Sequence, residues 1–310
     1  MKEIRGSLHT YLYSDKSETS FESFLKREFF IVTDNDKVET KIADLKKDEF
    51  LEVTYSSENE KERSQIAIRD NLTLFKEEDV SYRVNRLGIR TSGIDLVKDY
   101  THTLMAGDSF TFGEGIPYKM TWPYLISKKY NCSFENLGYP GASISKIARI
   151  LTTILPIKKP KRVVVLFPTS GRQELVIDAP PSSNDRDYYT INYQAGFPPK
   201  EGTFRQPCID YEKSLTSHVD KLDMYKNFYI IKLLADSLGI ELVVSSWDTE
   251  VYKELFNVFD ESQIAGHFHY LAKDKKNDKA RDGMHPGENP NIIFADAIER
   301  AIGKRKQKDR

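Results

Sequence analysis

Three side chains, one at position 109 and two near the end of the chain, are of the types that perform nucleophilic chemistry. Ser109 follows Gly107 and Asp108 at the end of an apolar run, and Asp282 and His285 are three positions apart near the end of the chain. Side chains at that spacing can meet on a turn. A histidine that takes the hydroxyl proton activates a serine, and an aspartate fixes the imidazole tautomer. The sequence therefore predicts a triad of Ser109, His285 and Asp282; the alternative is a simple turn with a helix cap.

Such a centre also needs hydrogen-bond donors for the negative oxygen that forms during acyl transfer. The backbone N–H of Ser109 is one candidate. The second is the turn that contains Gly141, because glycine lets a backbone approach a ligand closely. The alternative is a plain connection between a strand and a helix.

Alternating strands and helices from Thr101 onward predict an α/β domain with a parallel sheet. The predicted strands are His102–Ala106, Phe134–Leu137, Arg162–Phe167 and Glu241–Ser245. The predicted helices are Thr121–Lys129, Ser143–Leu155, His218–Leu238, Thr249–Phe256 and Asn291–Ile302. Ligands of open α/β sheets bind beyond the carboxyl ends of the strands. We therefore expect Ser109, Asp282 and His285 to converge at that edge, where Gly141 is also expected.

Residues 1–100 are rich in charge and poor in glycine, and they are predicted to form a β-rich N-terminal region. Its predicted elements are a short helix at 21–29 and strands at 28–33, 50–55 and 65–68. We expect this region to pack against the rest of the chain; a binding role is the alternative. The domain proper is predicted to span 101–303.

Two further segments lack regular patterns. Residues 176–213 are predicted to be a long irregular insert, whose tyrosines fit either a lid over a substrate or surface decoration. Residues 304–310 are predicted to be a frayed basic tail, since no aromatic residues are interleaved with the charges.

Composition excludes several classes of function. The 310 residues carry a formal net charge of -1, which favours neither nucleic acid nor an anionic membrane as a partner. No apolar run is long enough for a transmembrane helix or a signal peptide. These features predict a cytoplasmic or virion-associated protein.

Cys132 and Cys208 match no CxxC or metal-ligand spacing. Free thiols are therefore expected, and no metal site or cofactor is predicted. The sequence makes no prediction of the oligomeric state.

Three motifs, in this order, resemble those of the SGNH (GDSL-type) hydrolases. They are Gly107-Asp108-Ser109, Asn136-Leu137-Gly138-Tyr139-Pro140-Gly141 and Asp282-Gly283-Met284-His285-Pro286. The resemblance covers about 101–302, and the segment 82–90 is similar to the lead-in of some bacterial and phage members.

The resemblance implies a flavodoxin-like, three-layer α/β/α sandwich that hydrolyses esters or acetyl esters without a metal. It implies that Ser109 is the nucleophile, that Gly141 donates to the oxyanion, and that Asp282 and His285 complete the triad.

The chain departs from this family after the third strand, where a Gly-x-Asn-Asp motif is expected and residues 168–174 read PTSGRQE. Arg172 or Gln173 is predicted to replace the asparagine as a donor. Arg172 could instead bind an anionic substrate group or pair with Glu174. Loss of one such donor typically costs about 100- to 1,000-fold in rate, so activity is expected to weaken without vanishing.

Three hypotheses follow. The first is a serine esterase acting on small acyl esters, such as O-acetyl groups on a carbohydrate. The second is an O-acyltransferase on the same scaffold, with 176–213 excluding water. The third is a non-catalytic glycan-binding protein, motivated by the missing asparagine. The first is preferred because Ser109, Asp282 and His285 are all present.

Overall fold

The computed structural model describes residues 50–54, 73–74, 80–85, 89–90, 103–178, 188–194, 205–214, 217–275, 278–281 and 283–308. The strands are β1 (Phe50–Thr54), β2 (Thr73–Leu74), β3 (Ser81–Asn85), β4 (Thr103–Gly107), β5 (Phe134–Gly138), β6 (Arg162–Phe167), β7 (Arg172–Asp178), β8 (Tyr188–Gln194), β9 (Glu241–Ser246) and β10 (Asp278–Lys279). The α-helices are α1 (Ser109–Phe112), α2 (Trp122–Tyr130), α3 (Ile144–Lys158), α4 (Arg205–Ser214), α5 (Ser217–Ser237), α6 (Thr249–Leu255), α7 (Phe268–Leu271) and α8 (Glu288–Lys308).

A parallel sheet with the strand order β5-β4-β6-β9 forms the centre of the molecule. If the four strands are numbered 1 to 4 along the chain, their order across the sheet is 2-1-3-4. A parallel bridge from Val244 to Ile264 adds one more position beside β9. This is the flavodoxin-like order, and its ligand crevice lies at the carboxyl edge where the order reverses. The predicted fold class is confirmed.

Alternate residues of the central strands enter two separate cores, as expected for a sheet covered on both faces. On β6, Val163 and Val165 pack toward α3 and α5, whereas Val164 packs toward α2 and α8. Helices therefore cover both faces of the sheet, which gives the three layers of the sandwich. Each fully buried large aliphatic side chain contributes roughly 1.5–3 kcal/mol to folding.

Side-chain caps set the starts of the helices that follow the first two central strands. Thr121 Oγ1 accepts a hydrogen bond of 3.4 Å from Tyr124 N at the start of α2, and Ser143 Oγ accepts one of 3.1 Å from Lys146 N at the start of α3. The four central strands and the helices α2, α3, α5 and α6 are confirmed within a few residues of their predicted bounds.

Strand β1 confirms the strand predicted at 50–55 and pairs with β3 in antiparallel register. The helix predicted at 21–29 and the strands predicted at 28–33 and 65–68 lie outside the described residues. In the part of the chain that the structure describes, no helix combines the length and apolar character needed to cross a bilayer. Cys132 and Cys208 are each a thiol in the structure, with Cys132 half-buried and Cys208 buried.

The prediction of an irregular insert at 176–213 is wrong where this segment is described. Strands β7 and β8 form an antiparallel hairpin, and residues 205–214 form helix α4. The β-branched and aromatic residues of the two strands favour this pairing. The last helix also continues to Lys308, through most of the predicted tail, because lysine, arginine and glutamine are good helix formers.

Candidate active site

The nucleophile candidate lies on a sharp connection between β4 and the short helix α1. Asp108 caps this helix, because its Oδ1 accepts a 3.0 Å hydrogen bond from Phe110 N. Gly107 has no room for a side chain: a Cβ there would lie 2.1 Å from Thr111 Oγ1 and 2.7 Å from the carbonyl oxygen of Leu166. The tight packing around Gly107 thus fixes Ser109 as the first helical residue beyond the strand.

His285 meets Ser109 at this position. Its Nε2 lies 2.8 Å from Ser109 Oγ, and the two side chains come from positions 176 residues apart. Ser109 is only 3% exposed, so bulk water has little access to its hydroxyl. The structure brings together these two sequence-predicted residues, whereas Asp282 lies outside the described residues.

A compact hairpin carries His285. Lys279 forms an antiparallel bridge with Pro286, and Ala280 N donates a 2.9 Å hydrogen bond to the carbonyl oxygen of His285. The Asp278 carboxylate accepts hydrogen bonds from Asn289 N (2.7 Å) and Asn289 Nδ2 (2.9 Å), which anchors this hairpin to the start of α8. The histidine is thereby held between β10 and the last helix.

Asp108, the residue before Ser109, is the centre of a buried polar cluster. Its side chain is 0% exposed, and its Oδ2 accepts hydrogen bonds from Arg172 Nη1 (2.5 Å) and Trp247 Nε1 (3.0 Å). The guanidinium of Arg172 also lies 5.4 Å from the centroid of the Trp247 ring. Glu174, the alternative partner considered for Arg172, pairs with Arg149. Arg172 therefore contacts the site through Asp108, the residue that precedes Ser109.

Phe110 connects the histidine to a second group of aromatic side chains. Its ring stacks on Trp247 at a centroid distance of 5.1 Å and contacts the rings of His285 and His269 edge-on, each at 5.6 Å. This apolar ring shields one side of His285 and limits where a substrate can approach.

The turn after β5 holds Gly141 at the same edge of the sheet. Gly141 has a φ of 76°, a left-handed conformation that side chains disfavour, and a Cβ there would meet nothing within 4 Å. Asn136 fastens β5 to α1, because its Nδ2 donates a 2.9 Å hydrogen bond to the carbonyl oxygen of Thr111 and its Oδ1 accepts one of 2.9 Å from Gly138 N. The glycine turn and the serine helix are thus one connected unit.

A cavity of about 390 Å³ lies beside the histidine hairpin. Apolar, basic and acidic side chains share its lining, among them Phe268, His269, Lys273, Asp278, Lys279 and Pro286. Burial, followed by the charge of Lys279, lowers the pKa of His269 below its ordinary value. The imidazole of His269 is therefore neutral at pH 7 and can donate or accept a hydrogen bond.

Sequence reasoning missed Trp247, Phe110 and Glu114. Trp247 directly follows the fourth parallel strand, so its position alone signals the carboxyl edge of the sheet. Glu114 lies five residues after Ser109, and its Oε2 is 3.6 Å from His285 Nε2. Among the described residues, no three His, Cys, Asp or Glu side chains are grouped in a way that could hold a metal ion.

The strand order and the positions of the serine and the histidine describe one arrangement. The serine follows the first central strand, the histidine precedes the last helix, and both lie at the carboxyl edge of a flavodoxin-like sheet. This arrangement agrees with the flavodoxin-like α/β sandwich expected from the sequence.

No family profile and no curated protein matches the sequence of this chain. Solved structures do match it. The psychrotrophic esterase EstA from Pseudoalteromonas sp. has 13% identity and a TM-score of 0.42 over 66% of this chain and 99% of its own. A member of the lipolytic protein G-D-S-L family from Veillonella parvula has 16% identity and a TM-score of 0.38, over 64% and 96%. The acetyl xylan esterase Est2A from Butyrivibrio proteoclasticus has 13% identity and a TM-score of 0.40, over 75% and 68%.

Proposed function

We propose that the protein is a serine esterase that hydrolyses small acyl esters through an acyl-enzyme on Ser109. The observation that carries this proposal is the 2.8 Å contact between Ser109 Oγ and His285 Nε2 at the carboxyl edge of the sheet. As Oγ attacks the ester carbonyl, His285 takes its proton and then gives it to the departing alcohol. A water molecule, deprotonated by the same histidine, releases the acid. Asp282 is the proposed partner that orients the ring.

The oxyanion is proposed to accept hydrogen bonds from the backbone N–H groups of Ser109 and Gly141. The left-handed turn at Gly141 leaves open space where a side chain would otherwise stand, which suits close approach of a substrate carbonyl. Arg172 is the proposed third contributor. Its guanidinium is held by Asp108, the residue before Ser109, and a guanidinium has five N–H donors.

The substrate class that fits best is a short acyl group, such as acetyl, on a hydroxyl-rich alcohol such as a carbohydrate. A cavity of about 390 Å³, near the lower end for small-molecule sites, is lined by Pro286 next to the histidine, although neither Ser109 nor His285 is among its lining residues. Its lysines and His269 offer hydrogen bonds to hydroxyl groups, whereas Phe268 and Pro286 offer apolar surface to a sugar ring.

Labelling with a fluorophosphonate tests the proposal directly. We expect the folded protein to be labelled at Ser109 and to hydrolyse p-nitrophenyl acetate and acetylated xylo-oligosaccharides. Ser109→Ala should abolish both labelling and turnover, whereas the exposed Ser237→Ala should change neither. Labelling that persists in Ser109→Ala, or ester hydrolysis unaffected by it, would refute the proposal. Products analysed with an added sugar acceptor distinguish hydrolysis from transfer of the acyl group.

A further inference from the structure

Glu114 places a carboxylate beside the reacting nitrogen of the histidine. Its Oε2 lies 3.6 Å from His285 Nε2, the same atom that contacts Ser109 Oγ. The side chain of Glu114 is 15% exposed and that of His285 is 14% exposed, so solvent screens this pair only in part. A negative charge at this distance stabilises the imidazolium form of the histidine.

The backbone around Glu114 is held rigidly on one side by the N-terminal region. Arg90 is 1% exposed, and its Nη1 donates hydrogen bonds to the carbonyl oxygens of Phe112 (2.7 Å) and Gly113 (2.6 Å). Its Nη2 donates one of 2.7 Å to the carbonyl oxygen of Ile116. Burial lowers the pKa of Arg90 to about 10, so it stays charged at neutral pH. One buried guanidinium therefore binds the turn at three points.

The same turn connects to Tyr82, to Ser109 and to the histidine hairpin. Gly115 N donates a 2.8 Å hydrogen bond to the Tyr82 hydroxyl, and Glu114 N donates one of 3.1 Å to the carbonyl oxygen of Ser109. Arg281 N donates a 2.9 Å hydrogen bond to the carbonyl oxygen of Gly115. A shift of this turn would thus move Glu114 relative to both Ser109 and His285.

We infer that Glu114 is a further catalytic residue, which stabilises the imidazolium of His285 while the serine proton resides on Nε2, and that Arg90 is its positioning residue. This inference rests on the roles of Ser109 and His285 proposed above. In the step concerned, the bond from Ser109 Oγ to the carbonyl carbon forms as the carbonyl π bond opens to an oxyanion and the proton passes from Oγ to Nε2. When the oxyanion collapses, the bond from the carbonyl carbon to the alcohol oxygen breaks and this oxygen takes the proton from Nε2. Glu114 keeps its negative charge throughout.

Other charged or titratable groups also surround the imidazole of His285. Asp108, the residue before Ser109, forms an ion pair with Arg172. The rings of His269 and His285 both contact the ring of Phe110. Lys279 lies on the strand that pairs with Pro286, and its Nζ donates to the carbonyl oxygen of Met284. Asp282 precedes the histidine by three residues in the sequence. Of the described groups, Glu114 is the carboxylate in contact with Nε2.

Glu114→Gln keeps the size of the side chain and removes its charge. The histidine is active as a base only when it is neutral, so loss of the neighbouring charge should move the acid limb of kcat/KM to lower pH. We expect a shift of about one pH unit and a kcat about tenfold lower, because the imidazolium formed during attack is less stable. Glu261→Gln, an exposed glutamate elsewhere, is the matched control and should leave the profile unchanged.

An NMR titration of the His285 ring gives a second measurement that does not depend on turnover. Its midpoint should fall by a similar amount in Glu114→Gln, with His285→Asn used to assign the signal. An unchanged midpoint would overturn the inference whether or not the protein hydrolyses esters. If the midpoint shifts but Ser109→Ala does not change ester hydrolysis, the proposed esterase is refuted, whereas the electrostatic pair of Glu114 and His285 still stands.

Arg90→Lys tests the positioning role. Lysine keeps the charge, but its ammonium group lacks the planar fork of N–H donors with which the guanidinium binds the three carbonyl groups. We expect this variant to reproduce part of the pH shift, and to add little to it when combined with Glu114→Gln. If Arg90→Lys lowers the melting temperature but leaves the acid limb and the NMR midpoint at their wild-type values, Arg90 serves stability alone.

Discussion

Replacing Arg172 by methionine removes the cation that faces the buried carboxylate of Asp108. The carboxylate is 0% exposed, and it would keep two neutral donors, Phe110 N and Trp247 Nε1, each at 3.0 Å. Removing one partner of a buried ion pair typically costs 3–5 kcal/mol, because the remaining charge is left uncompensated. Since two donors remain and Arg172 is itself 17% exposed, we expect a loss of about 3 kcal/mol in the free energy of unfolding.

Urea denaturation, followed by circular dichroism at pH 7, measures this loss as a fall in the midpoint at constant m-value. Arg172→Lys should cost only about 1 kcal/mol, because it retains the charge. Lys253→Met is a control for removing a cation from an ion pair. Lys253 and its partner Glu250 are 63% and 78% exposed, so solvent screens the pair and the urea midpoint should stay close to the wild-type value.

The same variants distinguish support of Asp108 from donation to the oxyanion. If Arg172 acts as a donor, Arg172→Met should lower kcat by about 100- to 1,000-fold in protein that remains folded. If it only neutralises Asp108, kcat should fall in proportion to the loss of folded protein. An unfolding free energy within 0.5 kcal/mol of wild type would contradict the argument from burial, whatever the activity.

Two further predictions concern pH. Burial lowers the pKa of Lys146 to about 8, so between pH 8 and 10.5 the unfolded chain binds more protons than the folded chain. Stability should therefore rise with pH across this window, and Lys146→Met should flatten that slope in urea midpoints taken from pH 7.5 to 10; a slope equal to wild type would contradict it. Burial also lowers the pKa of His267 to about 4, so stability should fall as the pH drops from 6.5 toward 4. His267→Asn keeps a side-chain cap for α7 and should reduce this acid sensitivity in melting temperatures, and a variant as acid-sensitive as wild type would exclude His267 as the cause.

The parts of the fold that depend on local pattern could be predicted from the sequence. The strand Arg162–Phe167 is a continuous run with four β-branched or large apolar residues at its centre, and it is buried along its whole length. Thr121 and Ser143 are of residue types that favour helix N-caps, and each predicts the start of the helix that it caps. Ser109 and His285 could be placed at one edge because parallel strands share their carboxyl ends.

The parts that depend on pairing across long separations could not be predicted. The hairpin of β7 and β8 has a connection of nine residues, and no tight-turn signal defines its register. The three hydrogen bonds from Arg90 join it to carbonyl groups 22 to 26 residues further along the chain. Backbone carbonyls are present at every position, so no residue type marks the place where a buried arginine will bind them.

Arg172 lies in the segment where the sequence departs from the Gly-x-Asn-Asp pattern, and it forms an ion pair with Asp108. Where that pattern would supply an amide, this chain starts β7 with Arg172, and the guanidinium extends to Asp108 beneath the serine. Asp108 at the same time caps α1 and binds Trp247 from the end of β9, so one carboxylate joins the ends of three segments. An asparagine in place of Arg172 would carry no charge and would leave this carboxylate unpaired. Arg172 and Asp108 should therefore be altered together in any variant that places an asparagine at position 172.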